Sequence, residues 1–142
     1  MNRYEQLLSG YARLVGLESE VEFLNHQELE VSGVSVGLTL EGNADTGSIV
    51  LFTSLGLPAA ELPQDRLMRL MLEANAFWVG TGGCTLGLQT GTGAVLMSMR
   101  APLALSSAPA LRDAIEAFAD VSLLWREIIE GRRVVELPHV TA

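Results

Sequence analysis

The run ANAFWVGTGGCTLGLQTGTGAVLMSM, Ala74 to Met99, holds 26 residues without a single charge. Its length alone would suit a bilayer crossing. Its composition does not: Gly80, Gly82, Gly83, Gly87, Gly91 and Gly93 lie in it, with four threonines and Gln89. The run therefore reads as a helix end followed by a buried hairpin. Gly80-Thr-Gly-Gly83 breaks the helix. Cys84 to Thr90 and Ala94 to Ala101 are then strands joined around Gly91-Thr-Gly93, a hairpin signal.

The helix entering this run starts near Pro63, a favoured first helical residue, and is expected to reach about Val79. Leu67, Leu70, Met71, Ala74 and Trp78 make one face; Met68, Leu72, Ala76, Phe77 and Val79 cover most of the rest. Only Arg66, Arg69 and Glu73 form a polar stripe. A helix apolar nearly all round must be covered on two sides. One sheet covers one side, and a second copy of the chain is the simplest cover for the other.

Working outward, Tyr4, Leu7, Leu8, Tyr11, Leu14 and Val15 recur at three- and four-residue steps, predicting a helix from about Asn2 to Val15. Asn2 suits its N-cap and Gly16 its left-handed end. Leu29 to Val31 is a brief strand, Val34 to Glu41 an alternating one, and Ser48 to Leu55 a strand apolar on both faces. A last helix follows Ser106-Ser-Ala-Pro109 and closes at Gly131, with Leu111, Ile115, Phe118, Ser122, Trp125 and Ile129 on one face. The order α-β-β-β-α-β-β-α, with strands in antiparallel hairpins, makes the class α+β. Residues 1–131 read as one domain and 132–142 as a flexible tail.

Composition narrows the function. Of 142 residues, 49% are hydrophobic and 18% charged, which fills a core with apolar surface to spare. The net charge of −8 opposes nucleic-acid binding. All nine bases are arginine, so no lysine Schiff base or phosphate-loop lysine exists. The glycine run also follows a helix and precedes a strand, the reverse of a phosphate cradle. Cys84 stands alone, which excludes an internal disulfide, fits a reducing, cytoplasmic setting, and reads as a small buried hydrophobe. With His26 and His139 it forms no metal-ligand spacing. Neither a cofactor nor a membrane span is implied. Between Arg13 and Arg66 stand nine acids and no base. They keep an apolar protein dispersed, or rim a docking face for an extended, basic-leaning peptide.

Leu72-Glu-Ala-Asn75, then Leu86-Gly-Leu88, then Arg100-Ala-Pro-Leu103, with a small-residue break and a glycine turn between them, resembles the class I type III secretion chaperones, the Tir-chaperone (CesT-like) family. The likeness covers nearly the whole chain and is strongest from Leu67 to Leu103. Phe77-Trp78 is bulkier than the family pattern at that helix end.

The resemblance implies a homodimer of the bacterial cytoplasm without enzymatic activity or cofactor. It would bind the N-terminal region of a secreted effector in extended form, keeping it soluble and ready for the export apparatus, a further partner. It also implies a dimer interface on the second helix and adjoining hairpin, here Met68, Leu72, Asn75, Ala76, Phe77, Trp78, Leu86 and Leu88. Effector contacts are expected on the first helix and the strands, at Leu7, Tyr11, Val34, Val36, Leu38, Leu40, Val50 and Phe52. A small-ligand-binding or regulatory domain of the same general fold is the alternative, and a minor hydrolase using Cys84 or a carboxylate a third reading.

Overall fold

The computed structural model describes residues 1–138; His139 and the last part of the expected tail lie outside them. Four helices, α1 (Arg3–Val15), α2 (Glu20–His26), α3 (Gln64–Asn75) and α4 (Ala108–Ile129), accompany five strands. The strands are β1 (Glu28–Val31), β2 (Val34–Glu41), β3 (Ser48–Gly56), β4 (Thr85–Leu88) and β5 (Val95–Pro102). They form one sheet in the order β1-β2-β3-β5-β4, every pair antiparallel. The fold is α+β.

Alternation sorts the sheet into two faces. Val34, Val36 and Leu38 of β2, Ile49 and Leu51 of β3, Leu86 of β4 and Met97 of β5 are buried with the α4 residues Ile115, Phe118 and Trp125. The opposite face shows Ser35, Thr39, Phe52, Ser54 and Arg100 to solvent. Gly37 sits opposite Phe52 in the register, and a Cβ there would collide with the Phe52 ring. The ring thus covers a glycine that could not cover itself. Packing α1 against α4 buries Leu7, Leu8, Tyr11 and Ala12.

The first helix ends as its sequence indicates. Asn2 accepts from the Glu5 amide at 2.8 Å, and Gly16 takes φ 71°. Helix α2 was not expected. Its signal is present as Ser19-x-x-Glu22, a capping-box spacing, and the Ser19 hydroxyl accepts from the Glu22 amide at 3.1 Å. Phe23 anchors it on Tyr11, ring centroids 5.8 Å apart. The run is short and acidic, so it reads as a solvated rim until its single buried anchor is seen.

Helix α3 stops at Asn75, four residues before the expected Val79. Ala76–Trp78 is a tight turn in which Phe77 and Trp78 both adopt left-handed backbone, φ 54° and 55°. For non-glycine residues that conformation costs about 1–2 kcal/mol each. Strand β4 is also shorter than Cys84 to Thr90. Beyond α4, residues 132–138 form neither helix nor strand, with Val135 and Leu137 half-buried against the core.

Candidate functional site

Two surfaces at opposite ends of the sheet hold the residues of interest. At the β4 end, Leu72, Phe77, Trp78 and Leu88 are 71, 67, 54 and 48% exposed. Ala76 is exposed beside them and Met68 half-buried. These six share the bare side of α3, the turn after it and the end of β4.

The two remaining expected interface residues sit elsewhere. Leu86 is buried, because its register opposite Met97 turns it into the core. Asn75 faces the β4 backbone: its amide nitrogen donates to the Leu86 carbonyl and its oxygen accepts from the Leu86 N–H, both at 2.9 Å. One side chain thereby satisfies both main-chain groups that Leu86 would otherwise present at the sheet edge.

At the β1 end the arrangement reverses. Strand β1 is last in the sheet, with β2 its one partner. The Gln27 carbonyl accepts from the Leu38 N–H at 2.9 Å. By alternation Leu29 and Val31 face β2, and Glu28 and Glu30 direct their main-chain groups to the free edge. Their side chains are exposed on the outward face, where the Ser35 hydroxyl donates to Glu28. A groove of about 870 Å³ runs across that face, with Gly37, Phe52 and Leu96 in it and Gln27, Glu28 and Ser98 along it.

The expected effector residues divide by face. Leu7, Tyr11, Val34, Val36 and Leu38 are buried. This corrects their placement on an outer surface: the register turns the three β2 residues under the helices, and α1 packs its apolar stripe on α4. Leu40 and Val50 are half-buried, and Phe52 is 46% exposed on the outward face. Alternation could identify the two faces of β2, but not which one the helices cover. The free edge at Glu28 and Glu30 and the pairing of Asn75 were also missed. Both depend on strand order, which local periodicity does not encode.

Charges behave as their neighbours dictate. The Ser9 hydroxyl and then the Arg13 guanidinium hold the Glu20 carboxyl below its usual range. Arg100 and Glu41 pair at 2.7 Å across the outward face. Burial pushes the Cys84 thiol up to about 11, which suits packing and not nucleophilic attack. Burial likewise raises the Tyr4 phenol to about 12, and its hydroxyl donates to Gln27 Oε1 at 2.7 Å. Among the described residues no group of three or more His, Cys, Asp or Glu side chains converges as a metal site. No described helix is long and apolar enough to cross a membrane.

Known proteins share this fold. SycH, the Yersinia pestis type III secretion chaperone solved with a stable fragment of YscM2, matches with TM-score 0.64 at 19% identity, over 85% of this chain and 98% of that one. The HopA1–SchA chaperone–effector complex matches with TM-score 0.65 at 20% identity, over 88% and 94%. The heterodimeric ExoU–SpcU complex of the Pseudomonas aeruginosa type III secretion system matches with TM-score 0.53 at 17% identity, over 74% and 79%. Identities this low speak to the fold. No curated protein matches the chain in sequence. The family model for Tir chaperone proteins matches residues 6–126, from within α1 into the last turns of α4. A match spanning the sheet and both of its ends settles the kinship: the chain belongs to the Tir chaperone protein (CesT) family.

Proposed function

We propose that this chain is a type III secretion chaperone that works as a homodimer in the bacterial cytoplasm. It holds the N-terminal region of a cognate effector in extended form and catalyses no reaction. The observation that carries this reading is the family match across residues 6–126. Proteins of similar fold come from complexes named for a chaperone with its effector or a partner fragment, which supports the same role here.

We assign the second copy to the bare side of α3, through Leu72, Ala76, Phe77, Trp78 and Leu88, with Met68 at its margin. Side chains that large supply the apolar anchors an interface needs. We assign the effector to the β1 end. An extended segment can take up the open main-chain groups of Glu28 and Glu30 at the sheet edge, and its continuation can cross the outward face to Val50 and Phe52, two strands in from that edge. Apolar burial, at about 25 cal/mol per Å² before ordering costs, is the driving term. The nine acids steer and select a basic-leaning segment.

The test is co-purification with the N-terminal segment of the secreted protein encoded beside this one. The expected result is a stable complex that survives high salt. Failure of every such neighbour to bind sinks the chaperone reading. Sedimentation of the free protein as a concentration-independent monomer sinks the dimer.

A further inference from the structure

Phe77 and Trp78 are consecutive non-glycine residues in left-handed backbone, with more than half of each side chain exposed. Burial within the chain does not explain that conformation. Local preference runs the other way, since the apolar pattern from Gln64 continues a helix through Val79. Something other than these residues holds the turn.

The C-terminal segment lies behind it. Val135 and Leu137 are half-buried while Val134 and Glu136 are exposed, the alternation of an extended segment laid along a surface. Val135, Leu137 and Pro138 line one groove of about 580 Å³ with Leu70, Ala76 and Val79. The approach is tight at Gly80, where a Cβ would lie 2.7 Å from both Leu137 Cδ2 and Ala74 Cβ. Gly80 is also fixed by hydrogen bonds. Its N–H donates to the Ala74 carbonyl at 3.1 Å, and its carbonyl accepts from Trp125 Nε1 at 2.9 Å. Were α3 continuous through Val79, the Gly80 N–H would bond Ala76 instead, and Gly80 would leave both contacts.

We propose that residues 134–138 are a strap in cis. Seated behind Val79 and Gly80, it holds the end of α3 as the turn that presents Phe77 and Trp78. When it lifts, α3 extends through Val79 and the aromatic pair is redirected. Apolar burial of the strap opposes backbone strain in the turn, so the element has two states that other contacts can bias. That the presented pair serves a second copy rests on the proposed dimer; the coupling of strap to turn does not.

The experiment compares the full chain with the double variant Val135→Asp/Leu137→Asp and with Val134→Asp, whose side chain is free. Backbone carbon chemical shifts read the conformation of Phe77 to Val79, and the Trp125 indole N–H signal reads Gly80. The double variant is expected to move Phe77–Val79 to helical shifts, displace the Trp125 signal and weaken self-association about tenfold or more, a coupling of ordinary size. Val134→Asp is expected to change none of these. Unchanged shifts at the turn in a folded double variant overturn the proposal. Should that variant not fold, ending the chain after Arg133 asks the same question without a buried charge, and an intact turn there overturns it too. If the turn responds but the wild type never self-associates, the strap stands and the dimer falls.

Discussion

The sheet is finished in opposite ways at its two ends. At β4 the main chain is closed at Leu86, whose two groups the Asn75 amide occupies, while Leu72, Phe77, Trp78 and Leu88 stand bare. At β1 the main chain is open, and the side chains beside the opening are carboxylates. An edge capped at Leu86 and flanked by bare apolar groups favours a folded partner that packs side chain to side chain over one that adds a strand. An open edge with charged neighbours favours an unfolded partner that brings its own main-chain donors and acceptors. One small domain thus offers two kinds of contact without mixing them.

The contrast can be broken at several strengths. Phe77→Asp should do most, burying an unpaired charge in the dimer at a cost on the order of 3 kcal/mol or more, about two orders of magnitude in the dimer Kd. Phe77 is exposed in the single chain, so monomer stability should barely change; sedimentation equilibrium beside urea melts separates the two. An equal loss in both would mean that Phe77 belongs to the fold and not to a partner.

Asn75→Ala should come next. It leaves the Leu86 N–H and carbonyl without partners at a cost of about 1–3 kcal/mol, read as a lower urea midpoint. It also opens the β4 edge, so concentration-dependent aggregation should rise. A variant as stable and as soluble as the wild type would show that the edge needs no closure.

At the other end, Glu28→Gln/Glu30→Gln should weaken an effector segment only slightly, by about 0.2–1 kcal/mol for exposed charges, and mainly through a slower on-rate. Titrations at low and high salt check this. An affinity that collapses in salt would place the binding energy in the acids, and the apolar assignment around Phe52 would be wrong.

The smallest effect concerns Glu20. Its folded carboxyl titrates below the ordinary value of 4.5, so its stabilising contribution is present above that pH and is lost as pH falls through the lowered value. Glu20→Gln should therefore lower stability at neutral pH and leave the acid end of the curve unchanged. A uniform loss at all pH values would mean that the contact to Ser9 matters more than the charge.

How far the sequence carries depends on whether a feature is local. The caps of α1, the start of α4 at Ser107 and the glycine turn between β4 and β5 are set by neighbours within a few residues, and each lies where the residues place it. The end of α3 is different. Its period supports Val79, and contacts from Trp125 and Leu137, distant in sequence, meet Gly80 and accompany the turn. The candidate site divides in the same way. A helix apolar all round made an uncovered side at Leu72 legible, but not the turn that carries Ala76, Phe77 and Trp78, where the period predicts a helix through Val79 with Trp78 on the face of Leu67 and Met71. The buried state of Val34, Val36 and Leu38 was not, because alternation is symmetric until the helices choose a face.

The strand order carries a kinetic consequence. β1–β2, β2–β3 and β4–β5 join neighbours in sequence and can zip from short turns. The β3–β5 seam instead joins strands separated by everything from Leu57 to Ala94, α3 included, and it is interrupted by a register shift between Ser54 and Gly56. Closing that long segment costs more entropy than any hairpin, and its reward comes only after closure. During synthesis the amino-terminal strands must therefore wait, with the β3 edge unpaired until β5 has left the ribosome and the core face uncovered until α4 follows. The nine acids of that first half provide like-charge repulsion while the waiting lasts.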